Sequence, residues 1–152
     1  METQKQNAFN VIGIAVRTTN EEGQSSKDIP ELWAKFMKEN IPAKIAGKLD
    51  ENIYCLYTDY EKDHTRPYTT ILGCRVDSIQ EIPEDFVGKT VEQATYQKFV
   101  AKGNLMEGAV FNEWLKIWSS DIDRAFTTDY EVYGVASHDP ADGEADIFVA
   151  VR

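Results

Sequence analysis

The chain reads as an α+β fold made of two βαββ units, and three observations predict it. Apolar, β-branched runs of strand length recur along the sequence, two stretches of helical spacing fall between them, and the order strand, helix, strand, strand is spelled twice. The 152 residues suit one domain with a substantial core, expected to span 1–152. Hydrophobic residues at 42% and charged residues at 28% are ordinary globular usage rather than the composition of a disordered chain.

The first unit opens with Phe9–Arg17 (FNVIGIAVR), a buried strand in which Gly13 marks a close approach of backbone. Thr18–Lys27 is a polar loop. Asp28-Ile29-Pro30-Glu31 predicts a helix start, with Asp28 at the N-cap, Pro30 in the first turn and Glu31 three residues on. Leu32, Trp33, Phe36 and Met37 then form one apolar helix face, and Pro42 and Gly47 end that helix or leave a broken continuation. Asn52–Thr58 and Tyr68–Val76 are strands around a charged loop, Asp59–Pro67. Asp77–Lys89, with Pro83 and Gly88, reads as a linker.

The second unit repeats the order. Gln93–Ala101 predicts a strand and Gly103-Asn104 a break. Leu105–Ser119 predicts a helix with a wide stripe of Val110, Phe111, Trp114, Leu115, Ile117 and Trp118. Asp129–Ala136 and Glu144–Val151 are strands, joined by Ser137–Gly143, which ends in the hairpin pair Asp142-Gly143. The pseudo-repeats run over about 9–76 and 90–151, a coarse duplication carried by pattern rather than by residue identity.

The formal net charge is -10. Such a chain repels phosphate backbones, so direct nucleic-acid binding is not expected. Its apolar runs fall far short of the roughly 20 residues a membrane helix needs, and its start is polar rather than a signal core. Cys55 and Cys74 lie in strand-like runs and read as reduced core thiols of a cytoplasmic protein. His64 and His138 sit in polar loops beside Asp residues and read as solvated. No metal or nucleotide motif is present, and no cofactor is expected. SHDPADGEAD fails as a calcium loop, because aligning Gly143 with the invariant glycine puts His138, Pro140 and Val149 where acids belong.

Glu131 interrupts an apolar strand. By alternation it shares a face with Tyr133 and Val135, opposite Tyr130, Val132 and Gly134. That face is either the solvated side of an antiparallel sheet or the floor of an aromatic cleft. Trp33, Phe36, Tyr54, Tyr57, Tyr96, Trp114, Trp118 and Tyr133 lie on elements that could line such a cleft, though aromatics also dominate ordinary cores. Rings around a desolvated carboxylate would suit a flat lipophilic cation. Glu107 and Glu113 are weaker acidic candidates whose positions fit a solvated helix face.

The runs Phe9–Ile14 and Asp28-Ile29-Pro30-x-Leu32-Trp33-x-x-Phe36 resemble the GyrI-like, AraC-type effector-binding superfamily. So do Tyr68-x-x-Ile71-Leu72-Gly73-Cys74-x-Val76, the Tyr96 strand, the Trp114–Trp118 helix, Asp129-Tyr130-Glu131 and Asp146–Val151. The chain looks most like the stand-alone, integron-associated members. This resemblance implies two βαββ units forming an antiparallel sheet with two main helices and a ligand cleft between the halves. It also implies that Glu131 stands where the family meets cationic drugs. Family members fused to helix-turn-helix domains regulate transcription, and this chain is expected to lack such a domain.

Three functions follow as expectations. The first is a binding module for lipophilic, often cationic, drug-like molecules. The second is a GyrI-like hydrolase that opens cyclopropane-bearing DNA-alkylating toxins, with Glu131 as general base and Trp114, Tyr133 or Trp33 as its aromatic partner. The third is a protein-docking or dimerisation domain. The expected partner is a small molecule, and the chain is a monomer or a homodimer.

Overall fold

The computed structural model describes residues 3–105, 108–134 and 142–152. Eight strands form one antiparallel sheet: β1 (Thr3–Gln6), β2 (Phe9–Thr18), β3 (Ile53–Thr58), β4 (Tyr68–Val76), β5 (Val87–Val91), β6 (Ala94–Gly103), β7 (Thr128–Tyr133) and β8 (Gly143–Val151). Two helices, α1 (Ser25–Lys38) and α2 (Ala109–Trp118), fall after β2 and β6.

The strand order is β1-β6-β8-β7-β3-β4-β2-β5. It shows the duplication directly, since β3-β4-β2 in one half mirrors β7-β8-β6 in the other, and the halves join where β3 pairs with β7. The edge strands are exchanged: β1 precedes β2 but pairs with β6, and β5 precedes β6 but pairs with β2. Only Asn7 and Ala8 separate β1 from β2, a reach of about 11 Å at full extension. The sheet therefore curls until its two ends approach.

Alternation along the strands then makes two environments. The face away from the helices buries Phe9, Val11, Tyr54, Leu56, Tyr96, Tyr130 and Phe148 together. The other face packs Ile12, Ile14, Leu72 and Cys74 under Leu32 and Phe36 of α1, and Ile147 and Val149 under Trp114 and Ile117 of α2. Gly13 and Gly73 face each other across β2 and β4, and a Cβ on Gly73 would lie 2.1 Å from the Ile12 carbonyl oxygen. That contact explains the close approach expected at Gly13.

Several sequence expectations change. The first helix begins at Ser25, a turn before Asp28, and Asp28 is no N-cap. Its carboxylate accepts from Thr18 Oγ1 at 2.9 Å and Gln24 Nε2 at 3.0 Å, and its charge sits near the favourable end of the helix. The end of the stretch read as a linker runs into β5, which backbone pairing with Phe9–Gly13 recruits despite its weak apolar pattern. The polar Thr3–Gln6 becomes a strand for the same reason. The second helix starts at Ala109, because Gly108 takes φ 92°, outside helical space. Val135, Ala136, His138, Glu107 and most of the Ser137–Gly143 turn lie outside the described residues. Both cysteines are buried and unbridged. Among the described residues no helix is long and apolar enough to cross a membrane.

Candidate functional site

The seam between the halves places the site. In the β3/β7 pairing Cys55 stands opposite Glu131, Tyr57 opposite Asp129 and Ile53 opposite Tyr133. Asp129, Glu131 and Tyr133 project to the helix side of β7, with Tyr57 diagonal to Glu131 on the same face. The helices flank this seam and leave a cavity of about 380 Å³ between them. Ile29, Pro30 and Trp33 of α1 form one wall, and Val110, Phe111, Trp114 and Trp118 of α2 the other. Glu131, Tyr57 and Tyr133 line it from the sheet.

Glu131 is 1% exposed. Its Oε2 accepts from Tyr57 Oη and Trp114 Nε1, each at 2.7 Å, and its Oε1 accepts from Tyr133 Oη at 2.5 Å. Burial pushes its carboxyl above the ordinary value, while the three donors pull the other way by favouring the ionised form. Burial and the neighbouring carboxylate hold the Tyr57 and Tyr133 phenols well above their usual range, so both remain donors at neutral pH. Trp33 meets Tyr133 edge-to-face at 4.9 Å, and Trp114 meets Tyr57 at 5.5 Å. These contacts fix the rings whose polar atoms hold Glu131. Among the described residues no ion pair reaches this carboxylate.

Asp129, on the same face of the same strand, is held differently. It is fully buried, and its Oδ2 accepts from Arg124 Nη2 at 2.7 Å and Tyr60 Oη at 2.6 Å. Its Oδ1 accepts from the Ala150 backbone N–H at 2.8 Å. Arg124 lies over the rings of Phe126 at 4.4 Å and Trp114 at 5.6 Å, and its Nη1 is 3.4 Å from His64 Nδ1. Arginine can only donate, so that contact makes Nδ1 the acceptor and puts the imidazole proton on Nε2. Burial, and then the Arg124 charge, lower the His64 pKa and favour the neutral ring. His64 also stacks on Trp118 at 5.3 Å with an interplanar angle of 3°.

Of the residues singled out from sequence, Glu131, Trp33, Tyr57, Trp114, Trp118 and Tyr133 line the cavity. Phe36, Tyr54 and Tyr96 do not. Phe36 is fully buried beneath α1, whereas Tyr54 and Tyr96 belong to the aromatic cluster on the opposite face of the sheet. Tyr54 and Tyr57 are an odd number of residues apart on one strand and must point to opposite sides. His64, expected to be solvated, is instead part of the cavity wall. Glu113, expected on a solvated helix face, keeps only 18% of its side chain exposed and lies 3.6 Å from Lys116. Asn20, Tyr60, Tyr68 and Arg124 also line the cavity without having been foreseen. Tyr60 and His64 were visible as ring-bearing residues in the Asp59–Pro67 loop, but nothing local tells that this loop folds over the seam.

A family model described as integron-associated effector binding protein (Cass2) matches residues 3–151. The integron cassette protein VCH_CASS2 from Vibrio cholerae is 32% identical, with a TM-score of 0.76 over 99% of this chain and 95% of that one. YobU, a candidate transcriptional regulator of Bacillus subtilis (strain 168), is 27% identical over 92% of this chain and 90% of its own length. The solved structure of SAV2435 bound to tetraphenylphosphonium shares the fold at a TM-score of 0.81 and 16% identity, covering 99% of this chain and 93% of that one. The match along nearly the whole sequence establishes that this chain belongs to the family of integron-associated effector-binding proteins.

Proposed function

We propose that the cavity binds lipophilic organic cations, with Glu131 as the buried counter-charge. The observation that carries this reading is the contrast along β7. Asp129 has its cation in Arg124, whereas Glu131 is equally buried, faces an aromatic cavity and is held only by neutral donors. A carboxylate kept out of water without a cation is costly unless a charged ligand arrives to meet it. The surrounding rings supply apolar area and cation–π attraction for such a ligand. The tetraphenylphosphonium bound to SAV2435, a protein of the same fold, is a compound of this class. Three of about four acceptor positions on the carboxylate are already filled, which favours charge stabilisation over proton abstraction.

Calorimetric titration with tetraphenylphosphonium at pH 5 to 8 tests the proposal. Removing a unit charge about 5 Å from the ligand, at an effective dielectric of about 20, costs roughly 3 kcal/mol before screening. Glu131→Gln is therefore expected to weaken binding at least tenfold. Binding to the unaltered protein should weaken as pH falls and Glu131 takes up its proton, and the variant should lack this dependence. Equal affinities for the two proteins across the range would refute the assignment.

A further inference from the structure

Among the described residues, the cavity wall carries two full charges of opposite sign, Glu131 and Arg124. Taken alone, such a wall would have no net preference between a cation and an anion. The difference comes from one residue behind it. Asp129 is buried beside Arg124, accepts from its Nη2 at 2.7 Å, and is itself held by Tyr60 and the Ala150 N–H.

We propose that Asp129 determines the charge specificity of the cavity, silencing Arg124 so that Glu131 alone sets the sign of the ion accepted. The inference rests on the reading above that this cavity takes lipophilic ions. Its chemistry follows from proximity in a poorly screened interior. Residues two apart on a strand are separated by roughly 7 Å, so an ion seated against Glu131 lies roughly 8 Å from the Arg124–Asp129 pair. At an effective dielectric of about 20, one uncompensated unit charge at that distance changes an ion's affinity by about thirtyfold before solvent screening. The pair is also tied to Glu131 through a shared side chain. The guanidinium lies over the Trp114 ring, whose Nε1–H donates to Glu131 Oε2. A purely architectural ion pair would act on every ligand alike, whereas a charge-setting pair acts oppositely on ions of opposite sign.

Tetraphenylphosphonium and tetraphenylborate, nearly the same shape with opposite charge, make that difference measurable. The readout is the ratio of their two affinities by calorimetry, for the unaltered protein and for Glu131→Gln, Asp129→Asn and Arg124→Gln, with circular dichroism and a thermal transition to establish folding. Asp129→Asn should lower the cation-to-anion ratio about tenfold or more, although Glu131 is intact. Arg124→Gln should raise it by a similar factor, because it removes the positive member of the pair while Asp129 keeps its hydrogen bonds from the Ala150 N–H and the Tyr60 hydroxyl. A folded Asp129→Asn protein whose ratio stays within twofold of the starting value overturns the proposal, even if both affinities fall together. Should Asp129→Asn fail to fold, Arg124→Gln decides, and an unchanged ratio is the overturning result. A ratio that responds to Glu131→Gln but not to Asp129→Asn or Arg124→Gln refutes the role of Asp129 alone. An unaltered protein that binds neither ion refutes the cavity reading and this inference with it.

Discussion

Replacing Glu131 with glutamine is expected to strengthen the empty protein while weakening its hold on a cation. The folded carboxyl is raised from its ordinary value of 4.5 by burial, with partial relief from Tyr133, Tyr57 and Trp114. Between that ordinary value and the raised folded one, the folded chain binds more protons than the unfolded chain. Stability contributed at this position is therefore greatest at low pH, falls as pH rises across that window, and stays lower above it. Glutamine removes the charge and keeps the contacts. Its amide oxygen, placed where Oε2 lies, can accept from Tyr57 and Trp114, and its amide nitrogen can donate to the Tyr133 oxygen once that hydroxyl turns. Every tenfold by which the folded site disfavours ionisation is worth about 1.4 kcal/mol, and for a chain of this size each kcal/mol moves Tm by about 2–4 °C. Differential scanning calorimetry from pH 4 to pH 8 on both proteins should show matching Tm values at the acid end and a higher Tm for Glu131→Gln at the alkaline end. A variant less stable than its parent by the same amount at both ends would contradict a cost arising from the buried charge. It would mean that the hydrogen-bond geometry, not the buried charge, dominates at this position.

Two further outcomes follow. Tyr57→Phe removes a 2.7 Å donor to the carboxylate, which should raise the Glu131 pKa further, disfavouring ionisation, and cost about 1 kcal/mol of stability. The pH midpoint for tetraphenylphosphonium binding should then move upward, and an unchanged midpoint would count against the donor's role. Gly73→Ala would place a methyl group 2.1 Å from the Ile12 carbonyl oxygen, so β2 and β4 must separate at a cost of about 1–3 kcal/mol or more; a chemical-denaturation curve matching the parent's would contradict that.

The strand and helix content was legible because it rests on local period. Runs such as Ile53–Thr58 and Tyr68–Val76 are apolar enough to announce themselves, and the Trp114–Trp118 stripe has helical spacing. The two missed strands, β1 and β5, have no such pattern and exist because neighbouring strands supply their hydrogen bonds. Thr3–Gln6 is polar, and only its pairing with Ala94–Gln97 makes it part of the sheet.

The site divides along the same line. A glutamate within an apolar strand, with Tyr133 on the same face, was readable from residue order, because alternation is a property of the strand alone. Whether that face met water or a cavity was not determined locally. It was decided when β3 and β7 joined the two halves and brought Tyr57 and Trp114 onto one carboxylate oxygen. Asp129 took its cation from Arg124, five residues before it on the segment leading into β7, and Glu131 was left without one among the described residues. Tyr54 and Tyr96 went to the other side of the sheet, while His64 and Arg124 came in from loops. Tyr57 and Trp114 lie 74 and 17 residues from Glu131 in sequence, and His64 and Arg124 lie on segments without a period. Their meeting is a consequence of sheet curvature and strand order, which no local pattern encodes.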